Sequence, residues 1–198
     1  MIKILSIILF GLITNVAVAQ DFAKNLTTAK SSYAGGNLED ARFAMQQMLN
    51  DLDIAIGKEV MKLLPTKMDA LSSNPKNDNV TANTGLTGVL IHRDYGAADK
   101  TIAIDMMSNS PLVASVNAIL SIPFMGNSGD GTQKVVKVEG YKGILQKSIE
   151  SETNKTSYSL QIPFGSTLLT FTVPNSTEAD VLRLANTIPL SQIAKMVQ

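Results

Sequence analysis

The apolar positions of this chain change period once, and the change divides it. Phe22, Leu26, Ala29 and Tyr33 recur at helical spacing, and "GGN" at 35–37 interrupts them. A second stripe runs from Leu38 through Ala41, Met45, Met48 and Leu49, Leu52, Ala55 and Ile56, Val60, and Leu63 with Leu64. It stops at Pro65, which has no N–H to continue the helical ladder. The spacing predicts a helical hairpin over 20–65, its second helix about 26 residues and roughly 39 Å long. Residues 66–84, "TKMDALSSNPKNDNVTANT", hold Met68, Leu71 and Val80 as their large apolar side chains and read as a linker.

Beyond 84 the period is two. Val89, Ile91, Arg93 and Tyr95 alternate with Leu90, His92 and Asp94, and Ile102, Ile104 and Met106 alternate after a short connection. These predict strands over 86–95 and 100–108. Pairing Tyr95 with Lys100 sets Ile91 against Ile104 and Val89 against Met106, which gathers the aliphatics on one face. His92 then lies on the other face, next-but-one to Asp94 and diagonal to Asp105. Ser110 is placed to cap a helix and Pro111 to open it, with Leu112, Val113, Val116, Ile119 and Leu120 as its apolar face. A loop, "PFMGNSGDGTQ", follows. Alternation then marks four more strands, around Val136 and Val138, from Ile144 to Glu150, along Tyr158, Leu160, Ile162 and Phe164, and along Thr167, Leu169, Phe171 and Val173. Asn175 with Glu178 opens a last helix carrying Val181, Leu182, Leu184, Ala185 and Ile188, which Pro189 kinks or splits before "LSQIAKMVQ". The expected fold is α+β: a helical hairpin, then over 85–198 an antiparallel meander of about six strands packed with an inserted helix and C-terminal helices.

The first residues change the picture of where this fold works. Lys3, the apolar run "ILSIILFGLI" and the small-x-small "AVA" at 17–19 have the order of a secretory signal peptide cut after Ala19. The run is about ten residues, half of the roughly 20 that span a bilayer, so no transmembrane helix is expected in the mature chain. There is no cysteine among the 198 residues. Export without a disulfide framework fits a bacterial periplasm better than a small secreted module, which ordinarily needs such staples. Removing residues 1–19 takes away Lys3 and leaves one acid in excess over the bases. With no basic run interleaved with aromatics, nucleic acid is not an expected partner.

Candidate chemistry is sparse. His92, the single histidine, opens a His-Arg-Asp triplet like that of protein-kinase catalytic loops, but Asp99 stands where those loops place asparagine, and no D-F-G or glycine-rich nucleotide loop accompanies it. Gly126 to Gly131 has the glycine spacing of a phosphate loop, yet Thr132 and Gln133 replace the required lysine and hydroxyl residue. No second histidine, nucleophile or metal-ligand set is apparent, so no metal or other cofactor is expected. His92 with Asp94 or Asp105 is the one constellation suited to proton transfer. Phe124 and Met125 in the loop, and Met45 and Met48 on the second helix, are candidates for partner contact, because methionine suits adaptable apolar surfaces.

The segment Ala29, Tyr33, Gly35, Gly36, Glu39 and Ala41 resembles half of a tetratricopeptide repeat, present once. Together with the "LLP" that ends the hairpin, Arg93-x-Tyr95, "SNSP" at 108–111, "VEGYKGILQ" and "VLRLANTIPLSQI", it resembles an uncharacterised family of small exported, periplasmic proteins of Gram-negative bacteria, with a TPR-like hairpin and an antiparallel-sheet domain. The resemblance implies architecture and address, and no catalytic residues. The leading expectation is a non-enzymatic periplasmic binding or accessory module that engages an envelope protein. The alternatives are a carrier of an apolar ligand held between the sheet and the 112–122 helix, and a small hydrolase or isomerase using His92 with Asp94 or Asp105.

Overall fold

The computed structural model describes residues 16–82, 88–97, 100–122, 128–149, 151 and 154–197, the side chains of 16–20 excepted. Most of the expected signal peptide, Asp99, and the partner candidates Phe124 and Met125 lie outside the described residues. The chain divides into two compact units, up to Leu52 and from Asp53 onward.

The first unit is the hairpin. Helix α1 (Val16–Ala34) leads through a turn into α2 (Leu38–Leu63). Gly36 takes φ +79° in that turn, where a Cβ would be strained, and Asn37 starts α2 by accepting a hydrogen bond on Oδ1 from Asp40 N, 3.3 Å. Small residues set the contact: Ala29, Ala41 and Ala44 are buried, and Asn25 Nδ2 donates to Asp51 Oδ2 at 3.4 Å. The wider stripe is largely solvent-facing here. Leu38, Met45, Leu49 and Leu52 are exposed, and Met48 is half-buried.

The second unit begins in the C-terminal half of α2, where Val60, Met61 and Leu64 enter a hydrophobic core. Two short strands, β1 (Lys67–Met68) and β2 (Leu71–Ser72), form a small hairpin. The main sheet contains β3 (Asn79–Ala82), β4 (Val89–Tyr95), β5 (Ile102–Met107), β6 (Gln133–Val138), β7 (Tyr141–Ile149), β8 (Thr156–Phe164) and β9 (Thr167–Val173). Its order is β3-β4-β5-β9-β8-β7-β6, antiparallel throughout. The sheet is therefore two meanders, β3 to β5 and β6 to β9, zipped together where β5 meets β9. Helices α3 (Leu112–Ser121), α4 (Glu178–Ala185) and α5 (Leu190–Val197) complete the unit.

Three expectations need correction. Residues 66–84 are no free linker in their described part: Met68 is 1 % exposed, β3 is an edge strand of the sheet, and Asn74 and Asp78 bond to β4 and its turn. The β4–β5 register is displaced by two residues, with Ile91 opposite Met106, Arg93 opposite Ile104 and Tyr95 opposite Ile102. Because strand side chains alternate with period two, a slip of two keeps every residue on its expected face. The last helix is capped by Thr177, whose side chain accepts from Asp180 N at 3.2 Å, rather than by Asn175. Pro189 does separate α4 from α5.

One face of the sheet packs against the end of α2 and against α4 and α5 around Ile104, Leu160, Ile162, Leu169 and Phe171, all fully buried. The helix comes so near that a Cβ on Gly57 would lie 2.6 Å from Val80 Cγ1 and 2.7 Å from Val89 Cγ2. Arg93 occupies this apolar face because its fork is fully engaged. Nε donates to Asp78 Oδ1 at 3.0 Å, Nη2 to Asp78 Oδ2, and Nη1 to the carbonyls of Met61 and Leu64 at 3.2 and 3.1 Å. Those carbonyls are orphan acceptors at the C-terminus of α2, so Arg93 caps the helix from the sheet. Tyr95 adds an O–H bond to the Pro65 carbonyl at 2.8 Å. Burial pushes its phenol up to about 12, the Arg93 charge opposing.

Candidate functional site

The other face of the sheet is covered on one side only. After β5 the chain turns through Asn109, at φ +51°, and enters α3, with Ser110 Oγ accepting from Leu112 N at 3.3 Å. Val113 and Val116 of α3 pack on Ile144 of β7 and Leu168 of β9. Within the second unit α3 packs over β7, β8 and β9, while Asn79, Thr81 and Asp105 on the β3–β4–β5 half of this face are exposed. A cleft of about 340 Å³ occupies the edge between that open half and the start of α3.

Sheet register gives the cleft a regular chemistry. One cross-strand row reads Asn79, His92, Asp105, Thr170; the row beside it reads Thr81, Leu90, Met107, Leu168. Adjacent residues two apart on each strand share a face, so a polar row and a largely apolar row run side by side. Leu112, an exposed residue, supplies the wall at the helix. The arrangement suits a ligand with one apolar edge and one hydrogen-bonding edge.

His92 and Asp105 are direct cross-strand neighbours, not diagonal ones, a consequence of the register shift. His92 Nδ1 lies 2.7 Å from Asp105 Oδ1, which fixes the ring and turns Nε2 away from Asp105. Nε2 is 4.0 Å from Asp94 Oδ2. Asp94 shares their face but not their cleft: its Oδ2 accepts from Asn77 Nδ2 at 2.8 Å, toward the turn that follows β2. Thus the structure brings His92, Asp94 and Asp105 together as neighbours, with only His92 and Asp105 lining the cleft. Among the described residues no group of three or more metal-ligating side chains is clustered to hold an ion. No described lysine or arginine lines the cleft, and the Asp105 carboxylate does.

The remaining candidates lie apart. Met45 and Met48 belong to the hairpin unit. In the glycine-rich loop, Asp130 Oδ1 accepts from Thr132 N at 3.0 Å and from Thr132 Oγ1 at 2.7 Å. The hydrogen bonds from Ser128 and Thr132 hold this carboxyl down to about 2, and a carboxylate already occupies the donors that a phosphate would need. Sequence reasoning missed Asn79 and Leu168 as lining the cleft with His92, and Asn77 as the partner of Asp94. Their only local signals were a polar "linker" and an alternating strand, and neither shows which strand lies beside which.

No helix among the described residues is long and apolar enough to cross a membrane. The chain matches no protein-family model, no curated protein and no solved structure.

Proposed function

We propose that this chain is a non-enzymatic binding module, exported to the periplasm, that holds an extended segment of a partner protein along the open half of its sheet. One observation carries this reading: the paired rows Asn79–His92–Asp105–Thr170 and Thr81–Leu90–Met107, open beside α3, the second row ending at Leu168 where α3 covers it. An extended peptide presents side chains and backbone polar groups on alternate edges, and the two rows supply a matching apolar and a hydrogen-bonding track. The address is supported by the sequence of residues 1–19 and by the lack of cysteine. The enzymatic alternative loses support because His92 Nε2 faces Asp94 rather than a hydroxyl nucleophile. A carrier of a wholly apolar ligand is less well supported, since the polar row would be desolvated without partners.

The test is a photo-crosslinking side chain placed at Leu112 in the exported protein, with a control at exposed Ser148 on β7. A discrete protein adduct from position 112 and none from 148 is the expected result. Adducts only with lipid or small molecules would favour the carrier. No adduct at 112, with a protein adduct from Met45 on the hairpin, would sink the reading.

A further inference from the structure

We propose that α2 pairs antiparallel with α2 of a second copy of this chain, through an exposed heptad seam that runs from Leu38 to Leu52. The pairing stands independently of the function proposed for the sheet.

Among the described residues, seven of the eleven large apolar side chains left exposed lie between Phe22 and Leu52. The hairpin buries small residues, Ala29, Ala41 and Ala44, and leaves the large ones of α2 in water. Leu38, Met45, Leu49 and Leu52 are 63, 48, 47 and 49 % exposed. Their successive spacings of seven, four and three residues place them at the d and a positions of a heptad, the seam along which two helices pack knobs into holes. A helix face that serves only to meet water carries polar residues there. The next a position is Ile56, which packs against the core of the second unit, so the free seam ends at Leu52.

Arg42 fills the remaining a position, between Leu38 and Met45, and it selects the orientation. It is exposed, and its guanidinium has no ion-pair partner among the described residues. Parallel pairing of two copies would stack Arg42 on its own counterpart, two like charges drawn out of water together. Antiparallel pairing about a two-fold axis between Met45 and Leu49 instead sets Met45 on Leu49 and Arg42 on Leu52, each layer repeated by symmetry. The stem of Arg42 then covers Leu52 of the second copy while its head reaches Asp53, the next residue along that helix. Asp53 Oδ2 accepts from Gly88 N at 2.7 Å, which leaves Oδ1 for a second donor. A single polar residue at an a position fixes register in this way at a cost in affinity. With four half-exposed seam side chains per copy, the contact belongs to the small class, under about 1,200 Å² in total. The dimer is therefore concentration-dependent, forming at roughly 10 to 100 µM.

Sedimentation velocity of the exported protein from about 5 to 500 µM tests the association by mass action. The sedimentation coefficient should rise from that of a monomer to that of a dimer. Leu49→Glu should stay monomeric throughout, with an unchanged far-ultraviolet circular dichroism spectrum, whereas Leu112→Glu in the sheet cleft should dimerise like the parent. The chain has no cysteine of its own, so single cysteines report orientation. Gln46→Cys, beside the two-fold axis, should be joined to its counterpart by a short bismaleimide, and Leu38→Cys should not, because the antiparallel arrangement holds the two copies of residue 38 about 27 Å apart along the helices. A photo-adduct from Met45 at twice the mass of the chain is likewise expected, and is distinct from one with another protein. A monomer up to about 500 µM would overturn the proposal, as would a dimer that survives Leu49→Glu or is lost in Leu112→Glu. Crosslinking through Leu38→Cys would overturn the antiparallel pairing. Should Leu49→Glu fail to fold, the pair of single-cysteine variants still decides.

Discussion

Replacing Arg93 by methionine keeps a long apolar stem and removes the guanidinium, and the structure states what is lost. Arg93 is 9 % exposed, and its partner Asp78 has 17 % of its side chain exposed. Without the guanidinium, the Asp78 carboxylate loses its two bonds, and the Met61 and Leu64 carbonyls at the end of α2 lose their caps. A solvent-exposed pair would be worth about 0 to 1 kcal/mol. Here a largely buried charge is left unpaired, which costs about 3 to 5 kcal/mol. That is a large share of the roughly 5 to 15 kcal/mol that stabilises an ordinary domain. Asp78→Asn alone should also destabilise, while the double variant Arg93→Met/Asp78→Asn should lose less than the two single losses added, with a coupling of about 1 to 3 kcal/mol. Urea unfolding followed by far-ultraviolet circular dichroism at neutral pH measures all three midpoints. A loss below about 0.5 kcal/mol for Arg93→Met, or strict additivity of the two changes, would refute the claim that this pair fastens the end of α2 to the sheet.

Three further outcomes follow from packing and protonation. Gly57→Ala should destabilise by about 1 to 3 kcal/mol despite alanine's better helix propensity, because the new methyl meets Val80 and Val89 at 2.6 and 2.7 Å; a thermal melt at or above the parent's would contradict this close approach. Ile104→Ala, fully buried opposite Arg93, should cost about 2 to 5 kcal/mol, while His92→Ala on the open face should cost less than about 1; equal losses in denaturant melts would mean the faces are misassigned. Tyr95, with its phenol raised to about 12, favours the fold fully below pH 10 and loses that contribution as the pH climbs from 10 through 12. The stability of the parent relative to Tyr95→Phe should therefore fall over that interval, and a difference that stays flat from pH 9 to 12 would show that the phenol is not buried in this way.

Much of this fold was legible in the sequence because it is written in local periodicity. The helical stripe ending at Pro65, the alternation of Val89, Ile91, Tyr95 and of Ile102, Ile104, Met106, and the helix opened at Ser110 and Pro111 all fall where the pattern puts them. Faces survived even where register did not, since the β4–β5 slip was by two. What local pattern does not carry is strand adjacency. Nothing in "TLLTF" reveals that Leu168 and Thr170 of β9 extend the rows begun by Met107 and Asp105 of β5. The polar segment 66–84 misled for a related reason. Its Asn74, Asn77 and Asp78 look like linker residues by composition, yet their side chains are the partners of Gly96, Asp94 and Arg93 some 15 to 22 positions away. Polar residues that serve as bolts and polar residues that merely face water have the same composition. His92 was placed correctly on the polar face; that Asp105 sits directly across from it depended on register and could not be read from alternation alone.

The central claim is that the open half of the sheet, beside α3, is where the partner binds. The most direct measurement is methyl NMR of the protein with a crosslinked or co-purified partner, comparing Met107, Leu90 and Leu112 at the cleft with Leu49 on the hairpin and Ile149 at the end of β7. The account predicts shifts and intermolecular contacts at Met107, Leu90 and Leu112, abolished by Leu112→Glu without change in the melting of the free protein. Shifts confined to Leu49 and its neighbours on α2, with the cleft methyls silent, would contradict it.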